Sequence, residues 1–225
     1  MEKQEGLTVR NIKAVVFDVD GTLLQSISWN ILNRRLGVTL HEDRQLQVDF
    51  MSKKFDYQGW CDRLVAIYKK RNRRVTRRNM ESILEKCVLA KGAQDVCIEL
   101  HKRGYQIGIV SGGLDPVVRA VARKIEVPAE YVISNSFAEY DQRGYLERIV
   151  AREGLNETKI NGLRKLCELW ELDERECLYV GDSLADKVLF DITGNGVTFT
   201  HNRCSALHDH CWQQINQLED LLTFL

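Results

Sequence analysis

The stretch that decides the fold is Val16-Phe17-Asp18-Val19-Asp20-Gly21-Thr22. It completes Ile12-Lys13-Ala14-Val15-Val16-Phe17, a short apolar run rich in β-branched residues that stops at acids and glycine. Such a run reads as a buried strand, with Asp18 at its C-terminal end. The same pattern recurs at residues 106–110, 131–134, 176–180 and 196–200. The first of these repeats ends at Ser111-Gly112-Gly113, and the third ends at Gly181-Asp182.

Helical spacing fills the gaps. Residues 93–103 place Val96, Cys97 and Leu100 on one face, and residues 157–170 do the same with Ile160, Leu163, Leu166, Cys167 and Trp170. Residues 115–124 open with Asp115-Pro116, an N-cap followed by proline at the first helical position. Residues 215–222 are read as a last helix. Strands alternating with helices predict an α/β fold, a Rossmann-like, mostly parallel sheet covered on both faces. Residues 136–150 break the alternation. Their Asp141-Gln142-Arg143-Gly144 turn, between β-prone stretches, predicts a hairpin.

Residues 25–90 carry only helical periodicity. Trp60, Leu64, Ile67 and Tyr68 recur at helical steps, as do Ile83, Leu84, Cys87 and Val88. This segment predicts an all-helical cap inserted into a core formed by residues 1–24 and 91–225. A cap in that place would cover the C-terminal edge of the sheet, where open α/β sheets bind ligands.

Composition sets outer bounds. Of 225 residues, 44% are hydrophobic and 28% charged, an ordinary balance for a chain that buries a core. Lys plus Arg equals Asp plus Glu at 32 each, so no net charge calls for nucleic acid or an anionic membrane. No apolar run approaches the roughly 18 residues of a membrane span. The opening Met1-Glu2-Lys3-Gln4-Glu5-Gly6 is charged and has no secretory apolar core, so a cytoplasmic protein is expected. Seven cysteines with no Cys-x-x-Cys pair argue against a disulfide framework.

Four polar signals sit where chemistry at the strand ends would need them. Asp18 and Asp20 lie two apart. One carboxylate can attack phosphorus, while the other protonates the leaving oxygen and later deprotonates water. The competing reading is an Asp-Gly turn, although no partner strand follows Thr22. Ser111-Gly112-Gly113 offers a hydroxyl and flexible N–H groups to phosphate oxygens, or is a plain loop. Lys159, at a helix start, would neutralise a phosphoryl group, or is a solvated surface lysine. Asp182 and Asp186 share a face if a helix begins near Ser183, and hard carboxylates suit Mg²⁺. Ser183 equally reads as an N-cap.

In order and placement the four signals resemble the haloacid dehalogenase-like hydrolase superfamily, in its phosphoserine-phosphatase-like branch with a helical cap. The resemblance runs from about Ile12 to Thr200. It rests on Asp18 to Thr22, Ser111 with Gly112 and Gly113, Lys159, and Gly181, Asp182 and Asp186. The spacing from Lys159 to Asp182 also suits the family. The resemblance implies a Mg²⁺-dependent phosphatase acting on a small phosphorylated metabolite through an aspartyl-phosphate. Asp18 would be nucleophile and metal ligand. Asp20 would be acid and base, and would lend its backbone carbonyl to the metal. Ser111, Gly112 and Gly113 would hold phosphate, with Lys159 steadying the charge. Asp182 would bind Mg²⁺, and Asp186 would support Lys159 or a metal-bound water. True dehalogenases lack the second aspartate and the metal, so Asp20 favours phosphoryl chemistry.

Phosphoserine phosphatases carry an early cap glutamate that reads the amino group of the substrate. Here Leu24-Gln25-Ser26-Ile27-Ser28-Trp29-Asn30 has no acid, and none comes before Glu42, so a different small phosphomonoester is expected. Ser26, Ser28 and Trp29 are candidates to face the pocket, Trp29 alternatively being core. Two segments stand outside this scheme. The basic run at 69–78 either attracts an anion or is a solvated helix end. The His/Cys segment at 201–211 has a spacing that matches no standard zinc finger. Transfer of the phosphoryl group to another alcohol, and a non-catalytic phosphate-binding module, are the alternatives. The full set of Asp18, Asp20, Lys159 and Asp182 argues against the latter, because binding alone needs no nucleophile.

Overall fold

The computed structural model describes residues 10–72, 74–201 and 204–225. The charged N-terminal opening, Arg73 of the basic run, and Asn202 and Arg203 of the His/Cys segment lie outside them. Among the described residues a seven-stranded sheet runs in the order β4-β3-β2-β1-β5-β6-β7. Its strands are β1 (Ala14–Phe17), β2 (Gln106–Leu114), β3 (Val132–Tyr140), β4 (Leu146–Ala151), β5 (Cys177–Val180), β6 (Gly196–Phe199) and β7 (Gln213–Ile215). All neighbours pair parallel except β3 with β4, the expected hairpin. The mostly parallel α/β sheet is therefore present.

Strand β1 lies between β2 and β5, where the strand order reverses. Phe17 pairs with Ile109 on one side and Val180 on the other, so the next residue, Asp18, emerges at the switch point. Both faces of β1 are buried. Val15 and Phe17 pack with α5 (Ala93–Lys102) and α6 (Asp115–Lys124), and Ala14 and Val16 with α7 (Leu155–Trp170) and α8 (Lys187–Thr193). This two-sided burial is why the strand reads as a continuous apolar run. Helix α7 approaches the sheet closely at Gly162, where a Cβ would stand 2.7 Å from Val110 Cγ1.

Between β1 and α5 come α1 (Ser28–Arg35), α2 (Leu40–Met51), α3 (Tyr57–Arg71) and α4 (Arg77–Leu84). Their starts are marked by side-chain caps. Thr39 and Glu42 form a capping box on α2, Thr76 and Asn79 form one on α4, and Asp56 accepts from Gly59 N on α3. The segment leaves and returns through one gate, where Leu24 bridges Leu89 and Ala90 N donates to Leu23 O. A second tie binds it to the hairpin. Leu146 N donates to Val75 O, Arg77 N to Gly144 O, and the Gln58 amide bonds Ile149 O and Ala151 N.

Three local expectations change. Ser111-Gly112-Gly113 is not a loop after β2 but an irregular stretch inside it. Three steps on β2, from Ser111 to Leu114, face two on β3, from Ser134 to Ser136. That extra residue is a bulge, which re-aims the backbone next to Asp18. Asp115 does not cap α6. Leu114 holds the cap position, and the Asp115 carboxylate bonds Arg119 and Ser134 instead. The last predicted helix is strand β7 followed by a 3₁₀ turn at Leu218–Thr223, because Gln213 to Ile215 can pair with β6. No helix of the described residues is long and apolar enough to cross a membrane.

Candidate active site

Four separate pieces of chain meet at the C-terminal edge of β1, β2 and β5. Asp18 stands at the end of β1, is 6% exposed, and takes the Val19 N–H on Oδ1 at 2.7 Å. Lys159, one turn into α7, reaches the same oxygen at 3.1 Å and Asp186 Oδ1 at 2.7 Å. The ammonium is 2% exposed, so the surface-lysine reading fails. Asp186 is wholly buried. Its other oxygen, Oδ2, accepts from Asp182 N, Ser183 N and Ser183 Oγ, which ties the turn after β5 into a fixed shape. Ser183 is thus part of this turn, and the helix proper begins only at Lys187.

The Ser111 hydroxyl lies close enough to the Asp18 carboxyl to lower its pKa, and its Oγ accepts the Gly113 N–H at 3.1 Å. The Gly112 carbonyl accepts from Tyr57 Oη at 3.0 Å and Ser136 Oγ at 3.1 Å. The bulge is therefore pinned from three directions. Asp20 lies on the helical side. Ser28, the first residue of α1, donates its N–H to Asp20 Oδ1 and its hydroxyl to Oδ2, both at 2.9 Å. Gly21 has φ +74°, and a Cβ there would stand 2.1 Å from Asp182 Oδ2. Only glycine meets both demands, and so the first loop lies directly against Asp182.

The electrostatics follow from burial. Four carboxyl groups, Asp18, Asp20, Asp182 and Asp186, surround one ammonium. Burial pushes the Asp18 carboxyl up, against the pull of Lys159. Burial, then the charges of Asp18 and Asp186, pushes Asp182 up to about 8. Asp20 rises to about 6, mainly by burial and against the two Ser28 hydrogen bonds. For Lys159 burial works against the charge, but Asp18 and Asp186 outweigh it and raise the pKa. This excess of buried negative charge is the setting a divalent cation fits. Oxygens of Asp18, Asp182 and Asp186 lie within 4.8 Å of one another. Asp186 has both oxygens engaged, one by Lys159 and the other by the turn, and all three are the hard oxygen donors that suit a divalent ion.

Asp18, Asp20, Ser28, Ser111, Gly112, Gly113, Lys159, Asp182 and Asp186 fall in this one place, whereas Ser26 is exposed. Sequence reading missed Tyr57, Ser136 and Tyr179. Tyr57 opens a helix and Tyr179 sits mid-strand, where both read as core, and Ser136 belongs to no motif. Trp29 is core, packed edge-on against Trp60 with ring centroids 4.8 Å apart. Described residues of the basic run are engaged with their surroundings. Lys69 donates to Glu147 O, Arg71 pairs with Glu42, and Arg74 and Arg77 lie over Tyr145 and Tyr140. The His/Cys segment makes no ligand cluster among the described residues. His201 packs on Phe199 and His210 pairs with Asp191.

A family model for haloacid dehalogenase-like hydrolases matches residues 15–190. Among curated relatives, a phosphoserine phosphatase of Methanocaldococcus jannaschii is 26% identical over 188 residues, covering 83% of this chain and 85% of that one. Another, from Lactococcus lactis subsp. lactis, is 24% identical over 186 residues, 82% of each chain. The fold is similar to a solved phospho-aspartyl intermediate analogue of phosphoserine phosphatase. The TM-score is 0.79 at 21% identity, over 95% of this chain and 99% of that one.

Removing one partner of a buried ion pair leaves a charge unbalanced in a poor solvent, at a cost of about 3–5 kcal/mol. Asp186→Ala is accordingly expected to lower unfolding stability in urea by about 3 kcal/mol. A loss below about 1 kcal/mol would mean that this pair does not hold the edge together.

Proposed function

The chain belongs to the haloacid dehalogenase-like hydrolases, as a phosphatase, and from that premise we propose that it hydrolyses a small phosphomonoester of an uncharged alcohol by way of Asp18. The observation that carries the reading is the Lys159 ammonium at 3.1 Å from Asp18 Oδ1, inside a buried carboxylate cluster. Phosphate binding alone would gain nothing from a carboxylate aimed at an anion.

In the first step an Asp18 oxygen attacks phosphorus, and the bond from phosphorus to the alcohol oxygen breaks. The alcohol leaves with the proton of Asp20, and Asp18 carries the phosphoryl group as a mixed anhydride. In the second step water attacks phosphorus, Asp20 takes its proton, and the Asp18 carboxylate returns with release of inorganic phosphate. Lys159 offsets charge on the phosphoryl oxygens, while Ser111 and the Gly112 N–H hold them in line. The Gly113 N–H is committed to Ser111, so Gly113 serves the bulge. Mg²⁺, held by Asp18, Asp182 and the Asp20 carbonyl, would screen the repulsion between nucleophile and phosphate. Asp186 fixes Lys159 and the turn bearing Asp182.

Residues 25–90 act as the cap in this reading. Its parts at the site are Ser28 on Asp20 and Tyr57 on Gly112, with Trp29 and Trp60 packed beside Tyr57. These four side chains carry no charge at neutral pH, and the early segment Leu24 to Asn30 has no acid to read an amino group. An uncharged alcohol fits that wall better than phosphoserine does, whatever the curated relatives act on. Transfer to a second alcohol uses the same chemistry, and no feature of the site favours it over water.

Two experiments test the reading. In a screen of phosphomonoesters with Mg²⁺, esters of uncharged alcohols such as glycerol are expected to exceed phosphoserine in kcat/KM by at least about tenfold. Chelation should stop turnover, and Asp18→Asn should abolish it without unfolding the chain. Undiminished turnover by Asp18→Asn would refute the mechanism, and a preference for phosphoserine would refute the substrate class. The second experiment is a pH profile. With an alkyl phosphate kcat is expected to fall as pH rises through about 6 and Asp20 loses its proton, and less so with a nitrophenyl ester, whose leaving group needs none. The Ser28 hydroxyl stabilises the Asp20 carboxylate, so Ser28→Ala should move that limb to higher pH. An unmoved limb would place the proton on another group.

A further inference from the structure

Lys159 has three N–H donors, and four acceptors surround them. Besides Asp18 Oδ1 and Asp186 Oδ1, they are Val110 O at 3.1 Å and Tyr179 Oη at 2.6 Å. Among the contacts of the ammonium the phenol is the shortest. Tyr179 has one O–H, and two acceptors lie within its reach, Val110 O at 2.9 Å and Asp186 Oδ1 at 3.0 Å. The phenol stays protonated, because burial and then the charges of Asp186 and Asp18 push its pKa well above the usual value.

One arrangement uses every proton. Tyr179 donates to Val110 O, and Lys159 donates to Tyr179, Asp186 and Asp18. The phenol thus does two things. It covers the backbone carbonyl that would otherwise compete for the ammonium. It also props the ammonium from below, while Asp186 holds it from the side. The third N–H is then aimed at Asp18 and at any phosphoryl oxygen bound there.

We propose that Tyr179 is a positioning residue of the phosphoryl-transfer step, setting the direction of the Lys159 ammonium through its hydroxyl. This rests on the phosphatase reading given above. The residue itself touches neither nucleophile nor substrate. It sits on β5, three positions before Asp182, with its ring against Phe190 at 6.3 Å between centroids. The ring is core, and only the hydroxyl has a catalytic consequence.

Tyr179→Phe keeps the ring and removes the hydroxyl. Val110 O is then uncovered and the prop is gone, so the ammonium can turn toward that carbonyl and away from Asp18. With p-nitrophenyl phosphate and Mg²⁺, kcat is expected to fall about tenfold at nearly unchanged KM. Affinity for orthovanadate, which resembles the transferring phosphoryl group, should fall by a similar factor. In a Lys159→Gln background the same change should leave vanadate affinity as it was, because there is no ammonium left to direct. A purely structural role would lower the melting temperature and leave kcat per folded molecule intact.

Wild-type kcat and vanadate affinity in Tyr179→Phe would overturn the proposal, and so would an equal loss of vanadate affinity in both backgrounds. If the phenylalanine variant does not fold, 3-fluorotyrosine at position 179 takes its place. It keeps the hydroxyl but weakens it as an acceptor, and should lower kcat by a smaller factor at unchanged KM. No change would again overturn the role. A wild-type protein that neither turns over the ester nor binds vanadate would instead overturn the phosphatase reading, and with it the role of Tyr179.

Discussion

A buried ammonium organises this molecule. Taking Lys159 out of water costs several kcal/mol unless opposite charge and hydrogen bonds replace the solvent. Asp18, Asp186, Tyr179 and Val110 O make that replacement, and they come from β1, β2, β5 and the turn after β5. Lys159 itself comes from α7, which Gly162 lets approach the sheet. Each of these elements must be in register for the ammonium to be tolerated. The packing of the sheet edge and the chemistry at Asp18 therefore depend on the same set of contacts.

That dependence explains what the sequence disclosed and what it hid. The buried strands and Asp18 were legible because two-sided burial demands an uninterrupted apolar run that ends where the chain turns polar. The helical insertion was legible from its period. The pairing of Lys159 with Asp18 was not legible from local pattern, since a lysine at a helix start has the same neighbours in sequence whether solvated or buried. The residues left Lys159 open between a phosphoryl partner and a solvated surface lysine, and the family resemblance favoured the first. Tyr179 was hidden for a related reason. A tyrosine in a β-branched run looks like packing, and its hydroxyl acquires a role only when α7 brings Lys159 to it. Strand β7 was hidden because its three residues are too few for a period, and pairing with β6 decides their conformation.

The helical segment is tied both to the hairpin and to this centre. Its ties to the hairpin run through Gln58, Val75 and Arg77. Described residues of the basic run serve the same attachment and face the hairpin and α2. What the segment brings to the site is the hydroxyl of Ser28 on Asp20 and that of Tyr57 on Gly112 O.

If Asp18 carries the phosphoryl group, it can be looked for there. The protein is mixed with a Mg²⁺-supported phosphomonoester, quenched in acid within a turnover, digested and analysed by mass spectrometry. A peptide containing Asp18 that is heavier by one phosphoryl group is expected, appearing and decaying as product forms. Product released with no such adduct on any peptide, or with the adduct on a different residue, would contradict it.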